Sequence, residues 1–183
     1  MCSSDLKAKP GTINYASAGA GSASHFAGLL FARMAGIEIA HVPYKGGGPA
    51  VTALLAGEAG FNFGPMPATM SLVQSGRLKA LAVSSTTRSN ALPNVPTVSE
   101  SGLPGYSSIG WFGLMAPKGT PRDIVLKLNA AAARAISAPD AAKQLLQIGA
   151  DPAARTPEAF GEFVREDNAR YGKLVREAGI KLE

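Results

Sequence analysis

A glycine-rich stretch early in the chain, residues 17–22, has the residue types needed to bind an anion. It reads Ser-Ala-Gly-Ala-Gly-Ser and follows a short β-prone run that begins at Ile13. Ser22 is a good N-cap, and apolar residues then recur with helical spacing as far as Gly36. Backbone N–H groups at a helix start, beside residues small enough for close approach, favour an anion because the helix dipole is positive there. The sequence therefore predicts an anion-binding half-site at this loop.

The elements that must position this loop alternate between strand and helix. Such an alternation predicts a parallel sheet layered by helices, with its strand-to-helix loops at the carboxyl edge, where open α/β sheets bind ligands. The clearest strand pattern is the run LKALAVS. Strands are predicted at 13–16, 37–42, 59–63 and 78–84, and helices at 22–36, 50–57 and 68–75.

The second half of the chain has a different pattern. Residues 88–106 hold three prolines and predict a long loop, and the apolar run 107–117 predicts a buried strand. Thr120 is expected to cap a helix with Pro121 at its first position. Further helices are expected at 140–148 and from 156 to Gly179, with a short strand at 151–155. Either these helices pack on the first sheet, or their own sheet lies in sequence outside this chain.

Composition excludes several classes of protein. The chain has 183 residues, of which 46% are hydrophobic and 17% charged, so it is globular and not disordered. The net charge of +5 is scattered without a basic block, which argues against nucleic acid as a partner. One cysteine and two histidines predict no disulfide framework, no metal and no cofactor. No apolar run is long enough to insert in a membrane, and none at the start suggests a signal peptide.

Several segments together carry a resemblance to one family. They follow one another in order over residues 7–183, which is nearly the whole chain, and five such motifs in register are specific where one would be weak. The chain resembles the Bug-type receptors, the extracytoplasmic substrate-binding proteins of tripartite tricarboxylate transporters. The segments are INYASAGAGSASHFAGLLF, HVPYKGGGPAVTALLAGE, GRLKALAVSSTTRSNALPNVPTVSESGLPGY, WFGLMAPKGTP, and RTPEAF with AGIKLE.

The resemblance implies a fold and a division of the chain. The fold is an α/β, periplasmic-binding-protein-like fold of type II, a two-lobed Venus flytrap. Residues 8–106 would be the second ligand-binding lobe, 107–118 the crossover strand and hinge, and 119–183 the returning part of the first lobe. Residues 1–7 are expected to be a tail or a cut end. The family's opening strands and first carboxylate loop have no counterpart here, so the first lobe is expected to be incomplete.

The resemblance also implies a function. The chain would be a solute-binding receptor, not an enzyme, that captures a small carboxylate for a tripartite tricarboxylate-type transporter. Its partners would be that ligand and the membrane components of the transporter, and its location would be the periplasm. Dicarboxylates, tricarboxylates, amino acids and aromatic acids all remain open as ligands.

The same resemblance assigns ligand contacts to four loops. One family feature is missing, because the acidic residue usual in the third strand falls on Gly60 here. That departure counts against a ligand whose amino group needs a carboxylate. The expected contacts are Ser17, Ala18, Gly19, Ala20, Gly21, Ser22, His25, Tyr44, Lys45, Gly46, Phe63, Gly64 and Ser84, with Ser85 beside the last.

Several of these residues have a second, purely structural interpretation. Ser22 is at least as good a helix cap as a ligand contact, and His25 could hydrogen-bond within the fold. His41 lies in a strand, where a structural role is favoured over binding. Lys45 has the character of an exposed loop lysine, and Trp111 that of a core residue.

A Rossmann-like nucleotide-binding enzyme is the alternative function. Gly19 and Gly21 fit the dinucleotide fingerprint, but its third glycine is Ser24. The fingerprint also requires an acidic residue at the end of the next strand, and that strand ends in His-Val-Pro-Tyr. The sequence contains no Walker motif and no Gly-x-Ser-x-Gly elbow. The receptor interpretation is therefore favoured.

Overall fold

The structure, a computed structural model, describes residues 13–178. Its described residues form two compact units, 13–110 and 111–178. The division between Gly110 and Trp111 falls inside the segment expected to be the crossover strand. The expected tail 1–7 and the expected helix end at Gly179 lie outside the described residues.

The first unit is built on a parallel three-stranded sheet. Its strands are β1 (Asn14–Ser17), β2 (Ala40–Pro43) and β3 (Phe61–Asn62), in the order β2-β1-β3. Its helices are α1 (Ala23–Ala35), α2 (Gly47–Leu55) and α3 (Met66–Gln74), and both α1 and α2 contact β1. The predicted alternation of three strands and three helices is confirmed, with boundaries shifted by a few residues.

Helix α1 begins and ends where the sequence predicts. The hydroxyl of Ser22 accepts a hydrogen bond from the His25 N–H, as an N-cap does. Gly36 ends the helix in the left-handed conformation, with φ of 62°, which a residue without a Cβ adopts without strain. The Ile37 N–H then bonds back to the Ala32 carbonyl at 3.0 Å, completing the C-terminal cap.

The core of the first unit has two hydrophobic clusters. One consists of Ala16, Ala50 and Ala59 with Tyr44 packed against it, so small side chains bring α2 close to the sheet. The other is centred on the end of the 88–106 loop, which is irregular as predicted but buried at its end. The hydroxyl of Tyr106 donates to the carbonyl of Ala27 and ties this loop to α1. The second cluster comprises Val98, Leu103, Tyr106, Leu30, Phe31, Ala35, Phe63 and Ala82.

The predicted strand at 78–84 is wrong. This run forms an isolated parallel bridge between Val83 and Thr97, and no strand is assigned within it. The Val83 N–H bonds to the Pro96 carbonyl, and the Val83 carbonyl accepts from Val98. The apolar pattern therefore reflects packing against the long loop, whose prolines prevent a continuous ladder from forming.

The predicted buried strand at 107–117 is also wrong. The structure assigns no regular element there, and several of its apolar side chains are exposed. Phe112 is 85% exposed and Leu114 is 71% exposed. Apolar composition alone could not show that this segment lacks a partner strand among the described residues.

The second unit is helical in the part of it that the structure describes. Its helices are α4 (Arg122–Ser137), α5 (Pro139–Gln147) and α6 (Pro157–Ala178). Trp111 packs edge-on against Phe160 and Phe163, and its indole N–H donates to Asp167 at 2.9 Å. These contacts agree with a structural role for Trp111, although its side chain is half-buried and not in a core. No described helix is long and apolar enough to cross a membrane.

Two local predictions in the second unit are wrong. The N-cap of α4 is Pro121, not Thr120, and the Thr120 hydroxyl bonds back to the Pro117 carbonyl instead. Residues 151–155 are irregular and form no strand. The Asn129 side chain donates to the Arg155 carbonyl and so satisfies a backbone group that a partner strand would otherwise pair.

Gly28 tests the packing of α1 on the sheet. A Cβ at residue 28 would overlap the ring of Tyr15, so we expect Gly28→Ala to lower the free energy of unfolding by about 1–3 kcal/mol. The matched control is Gly48→Ala on α2, where an added Cβ meets nothing and the change should be neutral or slightly stabilising. Urea titration of both variants makes the comparison, and equal effects would contradict the close contact.

Candidate functional site

Three loops meet at the carboxyl edge of the sheet. Because β1, β2 and β3 are parallel, the segments 18–22, 44–46 and 63–65 that follow them lie at the same edge. The chain passes from β1 to one neighbour and then crosses to the other, which places the topological switch point between β1 and β3. Right-handed crossovers then place α1 and α2 on opposite faces. The sequence-predicted half-site lies at this edge.

The first loop is fixed by side chains that accept from its own backbone. Three of the four N–H groups of residues 18–21 already have acceptors, so they are not open to a ligand in this conformation. The three bonds are Ala18 N to Ser24 Oγ at 2.9 Å, Gly19 N to Ser17 Oγ at 3.1 Å, and Gly21 N to His25 Nδ1 at 3.0 Å.

Three other N–H groups are open at the same place. Within residues 13–178, the N–H groups of Ala20, Ala23 and Ser24 have no hydrogen-bond acceptor. Ala23 and Ser24 form the first turn of α1, whose leading N–H groups have no partner within the helix. Of the backbone donors expected at residues 18–21, only the Ala20 N–H is therefore open, and the other two open N–H groups lie two and three residues beyond Gly21.

Ser22 joins the loop to the helix. Its hydroxyl donates to the Gly19 carbonyl at 2.6 Å and accepts from the His25 N–H at 3.2 Å. The Ser24 hydroxyl lies 3.0 Å from it. The cap interpretation of Ser22 is therefore confirmed, and contact of its hydroxyl with a ligand stays a prediction.

Two stacked histidines form hydrogen bonds with the first loop and with the strand residue before it. The rings of His25 and His41 are parallel to within 4°, with centroids 4.0 Å apart. His41 Nε2 lies 2.6 Å from Ser17 Oγ, and the Tyr15 ring also stacks on His41, with centroids 4.9 Å apart. Since His25 Nδ1 accepts from Gly21, the neutral ring carries its proton on Nε2. Both histidines therefore hold the loop in place, which is the structural role anticipated for His41.

Burial keeps both rings neutral. It lowers the pKa of His25, and burial together with the neighbouring His25 lowers the pKa of His41 to about 4. Burial also raises the pKa of the Tyr15 hydroxyl, which donates to the His25 carbonyl. The neutral His25 ring keeps the Nδ1 lone pair that accepts from the Gly21 N–H.

The second loop is attached to the first through the backbone. The Tyr44 N–H bonds to the Ser17 carbonyl and the Gly46 N–H to the Ala18 carbonyl, both at 3.0 Å. The Tyr44 hydroxyl donates to Glu58 at 3.3 Å; partial burial and then this carboxylate raise the Tyr44 pKa. Lys45 is exposed, as its structural interpretation predicts, and makes no ion pair within the described residues.

A residue that was not predicted from the sequence lies next to the third loop, at the end of β3. The ring of Phe63 packs against Phe31 and Tyr106 in the core, so only its backbone is placed to meet a ligand. Asn62, at the end of β3, has a buried Oδ1 with no hydrogen-bond partner within residues 13–178. An amide between two phenylalanines at a strand end was the available signal. A Cβ at Gly64 would lie 2.9 Å from that oxygen.

Two further predicted positions can be placed. The Ser84 carbonyl accepts from the Ser108 N–H, and no hydrogen bond within residues 13–178 joins Ser84 to the three loops. Gly60 could not carry the family's acidic side chain without movement. A Cβ there would lie 2.8 Å from Ile13 Cγ2 and 3.3 Å from the Asn14 carbonyl oxygen.

Comparison of the sequence with known families shows which family of proteins this chain belongs to. The family model described as the tripartite tricarboxylate transporter family receptor matches residues 4–180. The chain belongs to this receptor family. The resemblance read from the sequence is therefore confirmed. Members of the family are extracytoplasmic substrate-binding receptors.

Curated relatives of the chain agree. The chain is 40% identical over 169 residues to the UPF0065 protein in the tcbD-tcbE intergenic region of Pseudomonas sp., covering 92% of this chain and 50% of that protein. It is 38% identical over 177 residues to protein BugT of Bordetella pertussis, covering 97% of this chain and 54% of BugT. The chain thus spans about half the length of these two relatives.

Solved structures confirm the α/β periplasmic-binding-protein fold of the chain. Rpa4515 of R. palustris with adipate matches with a TM-score of 0.92 and 34% identity, over 97% of this chain and 60% of that one. MatC from Rhodopseudomonas palustris with bound malate matches at 0.83 and 35%, over 94% and 60%. The periplasmic binding protein BugD matches at 0.86 and 32%, over 99% and 61%.

Acid titration tests the histidine stack. The folded chain binds a proton at His41 less readily than the unfolded chain, since the His41 pKa falls from 6.5 to about 4. The free energy of unfolding should therefore decrease as the pH falls through the range from about 6.5 towards 4. His41→Gln keeps a neutral hydrogen-bonding group for Ser17 and should flatten this decrease.

Urea titrations between about pH 7 and pH 5 avoid most of the titration of carboxylates. An equally steep pH dependence in wild type and His41→Gln would show that His41 is not the group responsible.

Proposed function

We propose that this chain captures a small carboxylate at the three-loop edge, as a solute-binding receptor for a tripartite tricarboxylate-type transporter. The observation that carries the proposal is the set of open N–H groups on Ala20, Ala23 and Ser24. Ala20 lies in a loop whose other donors are held by Ser17, Ser24 and His25, and Ala23 and Ser24 begin the helix that follows, so these donors are ordered before a ligand arrives. Preorganised donors of this kind lower the entropic cost of binding.

The charges at this edge favour an anion. None of the helices α1, α2 and α3 has an acidic residue in its first turn, so no internal carboxylate competes for the positive ends of their dipoles. The N–H groups of Gly47 and Gly48 at the start of α2 have no acceptor among the described residues either. Lys45 is exposed next to them and would add a positive charge.

The bound molecules of two similar structures point to the same ligand class. Rpa4515 was solved with adipate and MatC with malate. Adipate and malate are both small dicarboxylates. A dicarboxylate has a second anionic end, for which Ser22, Tyr44, Lys45 and Gly46 are the proposed neighbours. Ser17, Phe63, Gly64 and Ser84 complete the proposed contacts, through backbone groups in the case of Phe63.

The proposal extends to the whole receptor. Residues 8–106 would form one ligand-binding lobe and 119–183 the returning part of the other, with 107–118 as the hinge. Lobe closure on the ligand would be recognised by the membrane components of the transporter, in the periplasm. A Rossmann-like enzyme has less support, because membership of a receptor family adds to the missing glycine and the missing acid.

Ser22 provides a sharp test of carboxylate capture. Ser22→Asp keeps an N-cap but puts a fixed carboxylate among the open N–H groups, whereas Ser22→Asn keeps the cap without the charge. Succinate or adipate at about 100 times its dissociation constant should stabilise wild type and Ser22→Asn by about 2.7 kcal/mol and leave Ser22→Asp unchanged.

Thermal melts with these acids, and with NAD and ATP in parallel, make the measurement. Stabilisation by a nucleotide but by neither carboxylate would reject the receptor proposal in favour of the enzyme.

A further inference from the structure

A buried polar atom without a partner lies next to the proposed carboxylate site. Within residues 13–178, the Oδ1 atom of Asn62 is shielded from solvent and accepts no hydrogen bond. Such an orphaned acceptor destabilises a folded chain, because the atom has lost its hydration without gaining a bond. Orphaned polar groups are rare in folded proteins, and one common explanation is a partner that comes from outside the chain.

Asn62 lies at the topological switch point. It is the last residue of β3 and pairs with Ala16 of β1, two residues before the first loop begins. Ligands of open α/β sheets bind at this point, between the loops that follow the two strands. The amide is therefore on the edge that holds the open N–H groups.

The residues around the Asn62 oxygen leave little space beside it. A Cβ on Gly64 would lie 2.9 Å from Oδ1 and 3.0 Å from Thr69 Cγ2, so a side chain at residue 64 would crowd the amide. The neighbouring ring of Phe63 turns away into the core. The amide can also rotate about its Cβ–Cγ bond, a soft torsion that exchanges the positions of oxygen and nitrogen.

The chemistry of the amide complements that of the loops. The open backbone groups are donors and suit carboxylate oxygens, whereas Asn62 offers an acceptor. No acidic side chain lies at Gly60, so an acceptor at this edge comes from a neutral amide, which does not repel an anion. A molecule that satisfies both must carry a donor close to a carboxylate.

We infer, resting on the proposed function, that Asn62 is a specificity-determining residue that accepts a hydrogen bond from a hydroxyl or ammonium group on the carboxylate ligand. The preferred ligands are then hydroxy- or amino-substituted dicarboxylates, and the unsubstituted acids bind more weakly.

Three acids with the same carbon skeleton test the inference. Succinate, malate and aspartate differ at one carbon, which carries hydrogen, a hydroxyl or an ammonium group. NMR titration of the ¹⁵N-labelled 183-residue chain gives a dissociation constant for each acid and reports on the Asn62 side-chain amide. That amide is assigned by its loss in Asn62→Leu.

We expect malate or aspartate to bind at least about tenfold more tightly than succinate and to shift the Asn62 amide signals, which succinate leaves in place. The three acids binding equally, with the Asn62 signals unmoved, would overturn the inference and leave carboxylate capture intact. No shift of the Ala20, Ala23 and Ser24 amides with any acid would instead reject the proposed function, and the inference with it.

Two variants separate a specificity role from a structural one. Asn62→Leu removes the orphaned oxygen at similar volume, so it should melt at the same or a higher temperature while its malate-to-succinate affinity ratio falls to about one. Gly64→Ala places a methyl group against the oxygen and should reduce the ratio in the same way, with Asn62 retained. A lower melting temperature in Asn62→Leu with an unchanged ratio would show that Asn62 is structural.

Discussion

The arrangement of the site depends on hydrogen bonds from backbone N–H groups of the first loop to nearby side chains. Ser17, Ser24 and His25 accept from that loop, and His41 holds Ser17 from beneath. A loop with two glycines in six residues would otherwise sample many conformations. Because these acceptors satisfy some of its donors, the remaining N–H groups on Ala20, Ala23 and Ser24 keep fixed directions.

The rest of the first unit supports this loop. Tyr15 stacks on His41 and bonds to α1, while small residues let α1 and α2 approach β1 closely. The buried end of the long loop closes over α1 through Tyr106. The same few residues thus hold the loop at the edge and pack in the core. A substitution that alters the core packing should therefore also alter the position of the loop.

Sequence reasoning succeeded where local chemistry decides the structure. Ser22 and Gly36 fix the ends of α1, and the alternation of elements fixed the parallel order of loops at one edge. It failed where residues far apart in the sequence decide whether a strand forms. The runs 78–84 and 107–117 have no neighbouring strand among the described residues, so neither forms a regular strand. Spacing along the sequence cannot show the directions of side chains. It therefore could not predict that His25 accepts from the loop, or that the Asn62 oxygen has no partner within the described residues.

The most direct measurement is a crystal structure of the chain with succinate. The account predicts a carboxylate oxygen within about 3 Å of the N–H groups of Ala20, Ala23 or Ser24, the usual length of such a bond, with the His25 and Ser24 contacts of the loop retained. A carboxylate bound elsewhere, with these three N–H groups facing only water, would contradict it.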